Sequence, residues 1–287
     1  MAAAHTHEGG RRTCLLFEAG PARYAIEATR VVEVAPPDAD RPAVRGVFPL
    51  EDLSVLMGGG PEQRPGLAVV LDSSPTRAVR VREGAEVADV SGDPHFQLTH
   101  DLGLRIGELV RGALFHHGRL YLELRPEAVG TVSVARAPQP RVVTWLDSTE
   151  APMLLIESGQ YRFLLPLSSV LQISPLSPAF CPFPVMGGVV AGVLAHGQAL
   201  WPVYGLPAFL GEPLVEEPYL VLAELAGMQV ALCATRVGGV ETELVPDEGP
   251  GAWRTRSGLR ALAPDVTRLL GASNLTAPRG RPSDASV

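Results

Sequence analysis

Cys14–Val34 reads CLLFEAGPARYAIEATRVVEV, and 139 positions later Met153–Ile173 reads MLLIESGQYRFLLPLSSVLQI, the same line without a gap. Leu15/Leu154, Leu16/Leu155, Glu18/Glu157, Gly20/Gly159, Arg23/Arg162 and Val31/Val170 are identical, while Phe17/Ile156, Tyr24/Phe163, Ile26/Leu165 and Val34/Ile173 stay apolar. An internal repeat with a period this long marks duplicated domains rather than a solenoid. Within each copy an apolar run meets a Gly-centred turn, alternating residues follow, and a β-branched stretch closes the segment. That is the pattern of a β-hairpin leading into a third strand. Pro36–Pro37 and Pro175/Pro178 then end the strand in each copy.

Outward from the repeat, Phe48–Gly58 (FPLEDLSVLMG) answers Trp201–Gly211 (WPVYGLPAFLG): a strand, a short helical turn carrying leucine, and a terminating glycine. Here the offset is 153 rather than 139, so the second copy is longer by 14 residues, about a hairpin. The surplus, Val190–Trp201, reads as two strands around His196-Gly197-Gln198, and the first copy is expected to have lost that hairpin. Leu67–Leu71 with Ala78–Val81, and Leu220–Leu222 with Val230–Leu232, supply a further strand pair to each copy. Val110–Leu124 predicts a closing hairpin in the first copy. The second copy is expected to lack one and to end in a short helix over Leu259–Leu270, with Pro264 in its first turn.

The 287 residues suit two domains that each bury a core without metal or disulfide staples. With 46% hydrophobic and 19% charged residues the chain is globular. A net charge of -7 and a pI near 5.5 supply no field to gather phosphates, so neither nucleic acid nor an anionic membrane surface is an expected partner. Cys14, Cys181 and Cys233 lie isolated in apolar surroundings and read as buried free thiols of a reducing compartment. No apolar leader and no apolar run of about 18 residues occurs, so a cytoplasmic location is expected. The organisation predicted is a disordered leader (1–11), domain 1 (12–134), a Pro-rich linker (135–140), domain 2 (141–272, closing hairpin truncated) and a disordered tail (273–287).

A hairpin ending in a V-x-x-V strand, a glycine turn, a P-V-x-D-L helix start and a closing G-x-L hairpin make a layout that resembles the CheW-like domain, twice. Leu50-Glu51-Asp52-Leu53 looks like the helix start, Gly112–Leu124 like the final hairpin, and Val237–Val240 like the strand after the family's L-x-V-D-x-V. The resemblance implies an all-β fold of two small five-stranded barrels per domain around a shared core. It also implies a non-catalytic adaptor, without cofactors, for protein partners: a histidine kinase of the CheA type, chemoreceptors or other CheW-like proteins. Clusters with those partners would follow. The family's N-L-R-G turn is missing from the first copy on this reading, and in the second His196 stands nearest its arginine, where an imidazole cannot replace a guanidinium fork. Arg82 and Thr235 replace the aspartate of L-x-V-D. Carried over position by position, Glu33, Val34, Gly46, Gln172, Ile173, Gly192 and His196 are the implied contact residues. An adaptor of motility or cell polarity, outside receptor arrays, is the alternative that the missing turn favours.

No catalytic fingerprint occurs: Gly58–Gly60 lacks the Lys-Ser/Thr of a phosphate cradle, and Ser54, Ser168 and Ser169 have no His and acid placed by sequence. An enzyme or small-ligand binder on a β-barrel scaffold is the alternative of another class. His116-His117 reads as a solvated turn, because neighbours on a strand point to opposite faces. His95 and His100, near Asp93 and Asp101, complete no spaced metal set, so no metal is expected. Trp253, between Gly251 and Arg254 in an expected loop, is a further candidate interface anchor.

Overall fold

The structure, a computed structural model, describes residues 11–57, 59–62, 66–98, 104–131, 144–146, 152–183, 189–225 and 227–266. The expected leader (but for Arg11), linker 135–140 and tail 273–287 lie outside the described residues. The helix expected over Leu259–Leu270 is contradicted where it is described: Arg260–Leu262 pair as a strand and Pro264 bridges to Trp145, so no helix runs through them, and 267–270 lie outside the described residues.

The first unit contains β1 (Thr13–Ala19), β2 (Ala22–Glu27), β3 (Val31–Ala35), β4 (Ala43–Val44), β5 (Phe48–Asp52), β6 (Gly66–Leu71), β7 (Arg77–Arg82), β8 (Glu86–Asp89), β9 (His95–Gln97), β10 (Val110–His116) and β11 (Arg119–Leu124), with short helices α1 (Leu53–Leu56) and α2 (Leu104–Leu109). The second contains β12 (Met153–Ser158), β13 (Tyr161–Pro166), β14 (Val170–Pro175), β15 (Phe180–Pro182), β16 (Val190–His196), β17 (Ala199–Tyr204), β18 (Tyr219–Leu225), β19 (Met228–Ala234), β20 (Arg236–Glu241), β21 (Leu244–Pro246), β22 (Ala252–Thr255) and β23 (Arg260–Leu262). No helix among the described residues is long and apolar enough to cross a membrane.

Two sheets form each unit, and they correspond strand by strand. The order β8-β1-β2-β11-β10-β9 matches β20-β12-β13-β23-β22-β21, and β3-β6-β7-β5-β4 matches β14-β18-β19-β17-β16, with β15 added. Register agrees as well, since Leu15 faces Ile26 where Leu154 faces Leu165. Both units use the same parallel pairs, β2 with β11 and β5 with β7 in the first, β13 with β23 and β17 with β19 in the second. Three of the four sheets have six strands rather than the expected five. Three-residue edge segments, β9, β15 and β21, end these sheets by pairing with an outer strand that would otherwise show an open row of backbone donors and acceptors.

Alternation explains why the repeated segment is apolar almost throughout. Leu15 and Phe17 of β1 enter the core between the two sheets, while Cys14 and Leu16 enter a separate cluster with Ala25, Val90 and Leu114. The second copy does the same: Leu154 and Ile156 face the central core, Met153 and Leu155 a second cluster. Side chains on successive residues point to opposite faces, so a strand buried on both faces reads as a continuous apolar run.

Two expectations fail here. The first unit has not lost its hairpin: β4 and β5 pair as Val44 with Phe48 and Ala43 with Pro49, and Arg45 and Gly46 turn the chain with φ of 50° and 69°. A two-residue strand carries no periodic signal, which hid it. Nor does the second unit lack a closing hairpin, because β22 and β23 pair antiparallel and occupy the sheet positions of β10 and β11. Its strands are three and four residues long and cross at Arg256-Ser257-Gly258, so charge and glycine mask the alternation. The surplus hairpin at Val190–Trp201 does form, as β16 and β17.

The units share one interior. Cys181, Phe183, Val193 and Leu200 of the second unit join the central core of the first, alongside Tyr24, Leu120 and Leu122. The longer β16 and the added β15 of the second unit therefore have a partner inside the chain.

Candidate partner-binding faces

Strands β3 and β14 begin their sheets and pair on one side only, with β6 and β18. Val31 and Val170 pack on the central cores, whereas Val32 (58% exposed) and Val34 (42%), like Leu171 (52%) and Ile173 (46%), face outward. The four are equivalent pairs under the 139-residue repeat. In the second unit Tyr219, opposite Pro175, extends the apolar surface. A core role explains none of these side chains, and an apolar pair held at the same place on both units is what a protein partner would cover.

Glu33, Val34 and Gly46, implied by sequence as contacts, come together. Arg45 reaches from the β4–β5 turn at one end of the sheet to Glu33 on β3 at the other, 2.6 Å away, and so closes the curl of the sheet. The Gly46 amide donates to Asp38 Oδ2 at 2.7 Å. Arg45 is a residue that sequence reasoning missed, because the turn itself was expected to be absent. In the second unit Gln172 and Ile173 share β14, but Gly192 and His196 lie on β16, which β18, β19 and β17 separate from it in the sheet. Gly192 is buried, and a Cβ there would run into the Cys181 carbonyl and the Phe180 ring. His196 is half-buried, edge-on to Trp201 with ring centroids 4.9 Å apart. Trp253 offers no anchor either. It lies on β22, is 8% exposed, and packs with Met153, Leu155, Leu164 and Ala261.

The contact between units is built on β2 and β11. Arg23 donates from Nη2 to the carbonyls of Pro178 (3.1 Å) and Phe180 (2.5 Å), and from Nε to its own unit's Leu120 carbonyl (3.1 Å). The Leu120 amide donates to Pro178 O at 3.3 Å. The Cys181 thiol lies 3.8 Å from the Arg23 carbonyl. Burial pushes the Cys181 thiol up, and pushes those of Cys14 and Cys233 up to about 11 and about 12, so all three stay protonated and unreactive.

Sequence reasoning also missed a pair of glutamates that hold the repeated hairpin turns. Glu62 accepts from the Gly20 amide at 2.9 Å, and Glu217 from the Gly159 amide at 2.9 Å. Both glycines have positive φ, 59° and 56°. The two glutamates arrive from loops of different length, so no fixed offset relates them. Glu217 is buried and also accepts from Ser158 Oγ (2.9 Å) and Thr235 Oγ1 (2.8 Å). In the first unit Arg82 takes the place of Thr235 and binds Glu62 at 3.1 Å.

One charge network crosses the first unit. Glu123, 7% exposed, lies 2.5 Å from Arg12 and 3.7 Å from Arg111, which also bind Glu27 at 3.3 and 2.6 Å. Burial raises the Glu123 carboxyl, but the hydrogen bond to His95 and the two guanidiniums outweigh it and hold the group at about 2. A carboxyl depressed in the folded state contributes stability that is complete above its unfolded value, near 4.3, and is lost as pH falls toward 2. The urea midpoint is therefore expected to drop between about pH 5 and pH 2. Glu123→Gln should flatten that slope, and an unchanged slope would contradict this role.

His116, expected in a solvated turn, is 7% exposed and donates to Asp93 Oδ2 at 2.6 Å; His117, with φ of 46°, makes the turn. Among the described residues no group of three or more His, Cys, Asp or Glu could hold a metal ion, and His100 and Asp101 lie outside them.

Comparison with known proteins adds the family. The scaffolding protein TtCheW from Thermoanaerobacter tengcongensis has a structure similar over 40% of this chain and 89% of its own, with 13% identity and a TM-score of 0.33. No curated protein matches the chain. Residues 152–269, within the second unit, match the family described as the CheW-like domain.

Proposed function

We propose that the chain is a non-catalytic adaptor of a chemosensory two-component pathway, with two CheW-like units in tandem that hold protein partners at fixed relative positions. The observation that carries this reading is the equivalent exposed pair on the two edge strands, Val32/Val34 and Leu171/Ile173. The family match at 152–269 supports it for the second unit, and the shared strand order and register extend it to the first. The partners on this reading are a histidine kinase of the CheA type, chemoreceptors or other CheW-like proteins. Binding at β3 and β14 leaves the partners' chemistry untouched. The alternative of an adaptor outside receptor arrays drew on a lost turn, and the Arg45-Gly46 turn removes that support.

Crosslinking and mass spectrometry of the whole chain in its native cells is the test, with Val34→Asp and Ile173→Asp as variants. A carboxylate placed in an apolar contact of this kind is expected to weaken capture about tenfold or more. Each variant should remove the partners of its own unit. If both leave the crosslinked set unchanged, the edge strands are not the docking faces.

A further inference from the structure

A cavity of about 810 Å³ lies between the two units, in the range of roughly 300–1,000 Å³ typical of small-molecule sites. Its first wall carries Glu18 at the end of β1, Ser54 of α1 and Arg82 of β7; its second carries Phe180, Phe183, Leu214, Val215 and Glu216. Neither unit forms it alone.

Three properties of the lining define a ligand. Four carboxylates (Glu18, Glu62, Glu216 and Glu217) face two guanidiniums (Arg23 and Arg82), an excess of two negative charges. Most of these groups are already engaged. Arg23 spends its donors on backbone carbonyls, Arg82 sits 3.1 Å from Glu62 and 3.6 Å from Glu18, and Glu217 is taken up by its three donors. Glu216 makes no ion pair among the described residues and is exposed. Second, the remaining wall is apolar, with two phenylalanines, two leucines and a valine beside four prolines. Third, Ser54 is 3% exposed and its Oγ has no hydrogen-bond partner among the described residues. A buried hydroxyl left unmatched beside a cavity is expensive unless something in the cavity meets it.

We propose that this cavity binds an amphipathic cation: an apolar body bearing one guanidinium or ammonium group, with a polar atom for the Ser54 hydroxyl. The apolar part lies on the phenylalanine, leucine and valine side chains. The charge faces the Glu18 and Glu216 carboxylates at the exposed rim of the cavity. An anion would meet the excess negative charge, and a purely apolar ligand would leave the Glu216 carboxylate and the Ser54 hydroxyl unmatched. The chemistry is common to a free amine and to an arginine-bearing peptide segment.

The test uses the whole chain labelled with ¹⁵N and three probes: phenethylguanidine, acetyl-leucyl-arginine amide and its neutral citrulline analogue. Saturable shifts centred on the Gly20 and Ala191 amides are expected with a cationic probe and not with the citrulline peptide. Response to the peptide alone identifies a protein segment as the natural source, and response to both cations a small molecule. Glu18→Gln with Glu216→Gln, both at exposed side chains, should weaken binding about tenfold with the fold unchanged in the same spectra. Ser54→Ala should weaken it by a smaller factor. No saturable shift with either cation at about 1 mM, equal binding of the citrulline peptide, or shifts centred elsewhere would overturn the proposal.

Discussion

Cys181→Arg is expected to destabilise both units together, by about 3 kcal/mol or more, rather than the second alone. Cys181 is fully buried, its thiol lies 3.8 Å from the Arg23 carbonyl of the first unit, and its neighbours Phe183 and Val193 belong to the core that the first unit shares. A guanidinium forced in there would lie unpaired and beside the positive Arg23 side chain. Arg23→Met should act in the same direction but less, by about 1–3 kcal/mol, since it strips donors from the Pro178 and Phe180 carbonyls while keeping the aliphatic stem. All three tryptophans, Trp145, Trp201 and Trp253, lie after residue 140, so fluorescence reports the second unit. Hydrogen exchange of the β1–β2 amides reports the first. A single urea transition seen by both probes, moved equally by each substitution, is the expected result. If fluorescence shifts while β1–β2 protection stays put, the shared interior does not couple the units.

Glu217→Ala is expected to cost about 3 kcal/mol. The carboxylate is 4% exposed and receives Ser158 Oγ, the Gly159 amide and Thr235 Oγ1, so its removal strands three donors at once. The Gly159 turn, held at a φ that favours glycine, loses its anchor together with them. Glu217→Gln keeps the acceptor oxygen and should retain about half of the stability, because only the charge and one acceptor are lost. Glu62→Ala in the first unit should cost less, since Arg82 keeps Glu18 as a partner at 3.6 Å. Urea unfolding of the three variants gives the ranking, and equal losses at Glu62 and Glu217 would contradict it.

What could be read from sequence follows from strand length and burial. The pairs β1–β2 and β12–β13 were legible because their strands are six or seven residues long and feed two cores, leaving an apolar run repeated at a fixed offset. Their equivalence carried the expectation of a duplication and the all-β class. The pairs β4–β5 and β22–β23 were not legible. Ala43–Val44 is too short for a period, and in Ala252–Thr255 the exposed Arg254 beside Trp253 imitates a loop. Trp253 looked exposed for the same reason, although a strand sends its neighbour outward and the indole inward. At the site, the family pattern made Val34 and Ile173 candidates, and the structure exposes both. Gly192 was not, because alternation tells which face of a strand is apolar and never what covers it. The first unit covers the β15–β16 region, a long-range fact that local sequence does not carry. The glutamates that pin Gly20 and Gly159 escaped for a related reason, since chains of unequal length bring them to the same point.

The shared interior also bears on how such a chain changes over generations. Tyr24 and Leu120 share one core with Cys181 and Phe183, so a replacement on one side calls for a compensating one on the other. Exchange of either half with a homologue by recombination would bring together surfaces that never adapted to each other. Two units sealed by such a contact are hard to take apart.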